Sequence, residues 1–101
     1  MLLPKNVVDR IYLKAQALDE LRRRDTPQDR RWVLAFTSVY NRLSPDMQRF
    51  FDLHFRQRMS WTDVTYELCI ERSTFYTWRE QLLMQLAVAA VESGATQIFY
   101  D

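Results

Sequence analysis

Apolar residues recur along this chain at steps of three and four, the spacing that lines one face of an α-helix. From Lys5 to about Arg24 the repeating positions are Val7, Val8, Ile11, Ala15, Leu18 and Leu21, which predicts a first helix started by Pro4. Thr26-Pro27 pairs a capping residue with a proline in the first turn. Trp32, Val33, Phe36, Val39, Tyr40 and Leu43 then carry a second helix from about Pro27 to Arg42. Ser44-Pro45 repeats the start signal, and Met47, Phe50, Phe51, His54 and Phe55 mark a third, aromatic helix ending near Gln57. Ser60-Trp61-Thr62-Asp63 fits a capping box with Asp in place of Glu, opening a fourth helix of about eight residues with Trp61, Val64 and Leu68 inward. After a break at Cys69-Ile70-Glu71, a fifth helix reaches Glu92 or Ser93, with Phe75, Trp78, Leu82, Leu86 and Ala89 on one side and Gly94 as its stop.

The fold expected is therefore all-α, with about five helices of which the last two form a helix-turn-helix. One domain, 1–101, accommodates them: a helical scaffold or oligomerisation region over 5–43, the helix-turn-helix region over 44–93, and an apolar tail over 94–101. Hydrophobic residues make up 48% of the chain and aromatics 14%, with one Gly and three Pro, which suits long helices and excludes a disordered chain. The tail ending in Ile98-Phe99-Tyr100-Asp101 is too apolar for a solvated end, so docking on its own core or on a neighbouring subunit is expected.

Several function classes drop out. No stretch reaches the roughly 20 apolar residues of a membrane span, and no secretory leader pattern is present, so a cytoplasmic protein without a membrane partner is expected. The single cysteine, Cys69, allows neither an internal disulfide nor a Cys-based zinc site. His54 is the one histidine and lies on the aromatic face of the third helix, which reads as a packed core residue and not as a metal ligand or catalytic base. No enzyme, cofactor or metal is expected.

Net charge is +1, low for a nucleic-acid binder, but twelve of the fourteen basic residues are Arg. Guanidinium groups suit bidentate contacts to phosphate and guanine. Arg22, Arg23 and Arg24 also complement the negative end of the first helix, so their clustering has a structural reason as well.

The run Ser60 to Phe75 resembles, without gaps, the DNA-reading fourth region of sigma factors, most closely at Arg72-Ser73-Thr74. The continuation Phe75-Tyr76-Thr77-Trp78-Arg79-Glu80-Gln81-Leu82, with the helix opening at Ser44-Pro45, looks like the phage late-gene regulators of the ArpU and RinA kind. The resemblance covers about 43–90. It implies a recognition helix beginning near Arg72 that enters the major groove, with Arg72, Ser73, Thr74, Tyr76, Thr77 and Arg79 approaching the DNA and Arg56 and Arg58 positioning phosphate. The family's turn glycine is Cys69 here, its small mid-helix residue is Thr65, and its Ser before Arg72 is Glu71.

The function expected is a sequence-specific, double-stranded DNA-binding transcription regulator encoded by a phage or prophage, acting as a homodimer or with RNA polymerase. The alternatives are a protein-binding helical module acting on a host factor such as RNA polymerase, and a small DNA-packaging recognition subunit.

Overall fold

The computed structural model describes residues 3–96, and among them it is all-α: six α-helices and one π-helical turn. The expected first helix is two, α1 (Lys5–Gln16) and α2 (Leu18–Arg24), separated at Ala17. The break falls where the spacing of buried residues changes from four (Val7, Ile11, Ala15) to three (Ala15, Leu18, Leu21). At about 100° per residue Leu18 and Leu21 still fall within about 40° of Val7, so one apolar stripe runs on through the break. All five side chains are buried.

α3 (Pro27–Arg42), α4 (Pro45–Phe51) and α5 (Trp61–Leu68) start where the capping residues are. Thr26 Oγ1 accepts from the Asp29 amide (3.1 Å), Ser44 Oγ from the Met47 amide (3.3 Å) and Ser60 Oγ from the Asp63 amide (3.3 Å). Each bond satisfies an amide that a helix start leaves unpaired, at about 1 kcal/mol apiece. Asp29 itself is buried in the first turn of α3, with Arg24 Nε 3.3 Å from its carboxylate.

The third predicted helix does not run as one α-helix to Gln57. After Phe51 it widens into a π-helical turn, Asp52–Arg56, where the Gln57 amide reaches back five residues to the Asp52 carbonyl at 2.9 Å. The wider turn lets Phe50, Phe51 and Phe55 all bury completely. Phe51 and Phe55 stack at 5.2 Å, and Phe50 meets Phe75 at 5.3 Å and Trp78 at 5.9 Å.

α6 (Arg72–Glu92) is the central element, with α1, α3 and α5 all packed against it. The segments 5–43 and 44–93 therefore share one core. Leu82, Leu83, Leu86, Ala87 and Ala90 of α6 are buried along with Trp32, Phe36 and Val39 of α3. No described helix is long and apolar enough to cross a membrane. Of the expected tail 94–101, Ala95 is buried and its carbonyl accepts from Gln28 Nε2, while 97–101 lie outside the described residues.

Two helices end in the same way. Gly94 closes α6 at φ 77°, with its amide bonded to the Val91 carbonyl and the Ala95 amide to that of Ala90. Cys69 closes α5 at φ 54°, with its amide on Tyr66 and the Ile70 amide on Thr65. This left-handed stop costs glycine nothing, but a residue with a Cβ pays about 1–2 kcal/mol. Cys69→Gly is accordingly expected to raise stability by about 0.5–1 kcal/mol, after allowance for the greater freedom of glycine in the unfolded chain. The check is thermal unfolding, in which a gain near 1 kcal/mol appears as about 4–8 °C.

Candidate nucleic-acid interface

Three residues, Cys69-Ile70-Glu71, turn the chain from α5 into α6, the short connection that a helix-turn-helix requires. Val64 and Phe75 are buried, and Leu68, Ile70 and Trp78 are half-buried around them. Trp61 corrects the stripe pattern, which assigns it to the inside: it is 37% exposed, with the Arg72 guanidinium lying 4.6 Å over its ring. Glu71 opens α6 without a side-chain cap, so a carboxylate stands at the helix start where the family resemblance has Ser.

Successive residues of an α-helix turn by about 100°, which divides the start of α6 into three stripes. Phe75, Leu82 and Leu86 are buried. Ser73, Thr77, Glu80 and Gln81 are exposed on the opposite side, and Thr74 is half-buried. Arg72, Tyr76 and Arg79, at i, i+4 and i+7, form the third. Arg72 lies 5.6 Å from the Tyr76 ring as well as over Trp61, and Arg79 lies 5.8 Å from Tyr76 and 5.3 Å from Tyr12. Three rings and two guanidinium groups thus alternate as Trp61, Arg72, Tyr76, Arg79, Tyr12, each contact contributing about 0.5–1 kcal/mol. The six residues of the expected DNA-reading set do not share one outer side.

Arg79, expected in that set, is only a quarter exposed: it donates from Nε to the Tyr12 hydroxyl and has Glu80 Oε1 3.7 Å from one terminal nitrogen. Arg56, expected to position phosphate, holds Asp19 at 3.2 Å and Asp52 at 3.1 Å instead, tying α2 to the π turn. Arg58 is exposed in the turn before α5, at φ 57°. Neither Arg58 nor Arg72 is ion-paired among the described residues.

Tyr12 and His54 belong to this arrangement although neither was in the expected set. His54 Nδ1 faces the Met59 carbonyl at 2.9 Å, and a carbonyl can only accept, so Nδ1 carries the ring proton. Nε2 then accepts from the Tyr12 hydroxyl at 2.7 Å, and that hydroxyl accepts from Arg79. One directed chain of hydrogen bonds thereby joins α6, α1, the π turn and the segment before α5. Burial pushes the Tyr12 pKa above its ordinary value, against the pull of Arg79, which keeps the phenol a donor. The regular i, i+4, i+7 placing of Arg72, Tyr76 and Arg79 was a readable signal for the stripe, but nothing in the sequence pointed to Tyr12 across the molecule.

Burial lowers the His54 pKa, the Met59 hydrogen bond opposes this, and Arg79 adds to the lowering. Above about pH 6.5 the ring is neutral in folded and unfolded chains alike, and its contribution is complete. As the pH falls below that value the unfolded chain takes up the proton first, so stability declines until the folded ring also protonates. Unfolding is expected to come at lower temperature at about pH 5.5 than at about pH 7.5, and His54→Gln is expected to shrink that difference.

A family model described as a protein of unknown function, DUF722, matches residues 6–88. The chain belongs to the DUF722 family. No curated protein and no solved structure matches it. The DUF722 match runs from the first turn of α1 into the last third of α6, so it takes in Tyr12 and His54 along with Arg72 and Arg79. The unit that defines this DUF722 chain is thus the whole helical assembly, with the helix-turn-helix as one part of it. Among its described residues no three His, Cys, Asp or Glu side chains converge as a metal site requires.

Proposed function

We propose that this DUF722 chain is a sequence-specific binder of double-stranded DNA of the kind that regulates transcription. The observation that carries the reading is the three-residue turn from α5 into α6, held by the left-handed Cys69 and by Val64 against Phe75, with an exposed polar stripe on the helix that follows. Such a unit presents its second helix to the major groove. The resemblance of Ser60 to Phe75 to the DNA-reading region of sigma factors supports the same assignment.

Electrostatics limit the affinity of a single copy. Arg58 and Arg72 are the uncompensated cations at the unit, and Asp63, Glu67, Glu71 and Glu80 are exposed beside them. With two or three phosphates neutralised, affinity should fall roughly tenfold to fortyfold between about 50 and about 200 mM salt, far less than for strongly basic proteins. Stable occupancy therefore takes two copies on half-sites about 34 Å apart, or a polymerase partner.

The test is titration of the protein against duplexes enriched from a randomised library, at those two salt concentrations. Absence of enrichment, with no binding to any duplex at the lower salt, would overturn the reading. A protein-binding module is the second reading, favoured by α5, where Tyr66 is 83% exposed next to Glu67 and on the same helix as Asp63 and Trp61. Retention of a partner such as RNA polymerase from nuclease-treated extract, together with failure on DNA, would favour it.

A further inference from the structure

The exposed stripe and the stacked stripe of α6 differ in chemistry as well as direction. Ser73, Thr77, Glu80 and Gln81 stand on the side of α6 turned away from the core and carry hydroxyl, carboxylate and amide groups but no cation. The Arg72 guanidinium lies off that side, over the rings of Trp61 at 4.6 Å and Tyr76 at 5.6 Å. A guanidinium stacked on a ring keeps its N–H groups at its edge, an arrangement suited to two oxygens of one phosphate. Its stacking partner Trp61 begins α5, the helix that crosses the DNA backbone in this kind of unit.

We infer a division of labour on α6, resting on the DNA-binding reading above: Arg72, held by Trp61 and Tyr76, grips a backbone phosphate, while Ser73, Thr77 and Gln81 select the bases. The resemblance to sigma factors left Arg72 open to either role. The chemistry of the exposed stripe also names the kind of site. Gln pairs with the N6 and N7 of adenine, the Thr methyl packs on the thymine methyl, and a Glu carboxylate accepts from cytosine N4. A guanine's O6 and N7 both accept, and their usual reader, Arg or Lys, is missing from this stripe. The contacted strand of the preferred site is therefore read through adenine, thymine and cytosine and is not anchored on guanine.

The experiment uses the full chain and duplexes enriched by it from a randomised library, each compared with a scrambled duplex of the same composition. Arg72→Ala is expected to weaken binding to both duplexes alike, by about tenfold, and to lower the salt slope by about one, leaving their affinity ratio unchanged. Thr77→Ala and Gln81→Ala are expected to cut that ratio by about tenfold with the salt slope unchanged. Thermal unfolding of each variant separates a binding loss from a folding loss, and Arg72→Lys, which keeps the charge but not the flat stack, should lie between wild type and Arg72→Ala. Collapse of the ratio in Arg72→Ala, or enriched sites built around guanine runs, would overturn the division while leaving DNA binding intact. No binding by the wild-type chain to any duplex would remove the DNA reading itself, and this inference with it.

Discussion

Replacing Phe50 by alanine is expected to destabilise the fold by about 3–5 kcal/mol, the range for emptying a large aromatic site in a packed core. Phe50 is completely buried and meets four other rings: His54 at 5.7 Å, Phe55 at 6.5 Å, Phe75 at 5.3 Å and Trp78 at 5.9 Å. It thus fills the space between α4, the π turn and α6. Its neighbours cannot close the gap, because Phe55 is fixed by the π turn and Phe75 by the first turns of α6. Small domains have about 5–15 kcal/mol in total, so the variant should be largely unfolded well below the wild-type midpoint. Urea unfolding followed by far-ultraviolet circular dichroism measures it. A loss under 1 kcal/mol would mean that the aromatic cluster is not the keystone described here. Leu is the better tolerated substitution, since it refills part of the volume.

The sequence made the helix starts legible because capping is local chemistry. Thr26-Pro27, Ser44-Pro45 and Ser60 each announce a first turn within a few residues, and each oxygen accepts the expected amide. The stop at Gly94 was legible for the same reason, whereas the left-handed Cys69 carries no such local signal. The break at Ala17 and the π turn at Asp52–Arg56 were not legible, because the helical spacing of apolar residues continues through both. Nothing in the residues from Lys14 to Leu18 disfavours a continuous helix.

The short turn into α6 and its polar stripe were legible in the sequence, but the partners of the individual cations were not. The family resemblance places Arg72, Ser73, Thr74, Tyr76, Thr77 and Arg79 along one approach to DNA. A helix spreads six such residues over roughly 220° of its circumference, and only the packing partners decide what each one touches. Arg79 went to Tyr12, sixty-seven positions away in sequence. Arg56 pairs with Asp52, an i,i+4 neighbour that helix spacing does announce, and with Asp19, thirty-seven positions away, which it does not. Periodicity carries no information on such long-range partners.

Arg79→Ala is expected to cost about 2–3 kcal/mol of stability, the second largest effect foreseen here. A hydrogen bond from a charged donor contributes about 1.5–3 kcal/mol and each ring contact about 0.5–1, but the terms overlap because all of them hold the same guanidinium. The loss also leaves the Tyr12 hydroxyl without its donor, although the hydroxyl can still give its proton to His54. Tyr12→Phe removes that hydroxyl and keeps the ring, so it breaks the bonds to Arg79 and His54 while sparing the ring contact. If Arg79 acts through Tyr12, the double variant should lose clearly less than the sum of the two single losses, with a coupling of about 1 kcal/mol or more in a double-mutant cycle. Arg79→Lys should recover little, since an ammonium group offers neither the flat face nor the lateral Nε donor. A residue whose work lies in the groove would behave otherwise, keeping the unfolding midpoint and losing only DNA affinity. Zero coupling with Tyr12→Phe, in an Arg79→Ala protein as stable as wild type, would return Arg79 to the DNA-reading set.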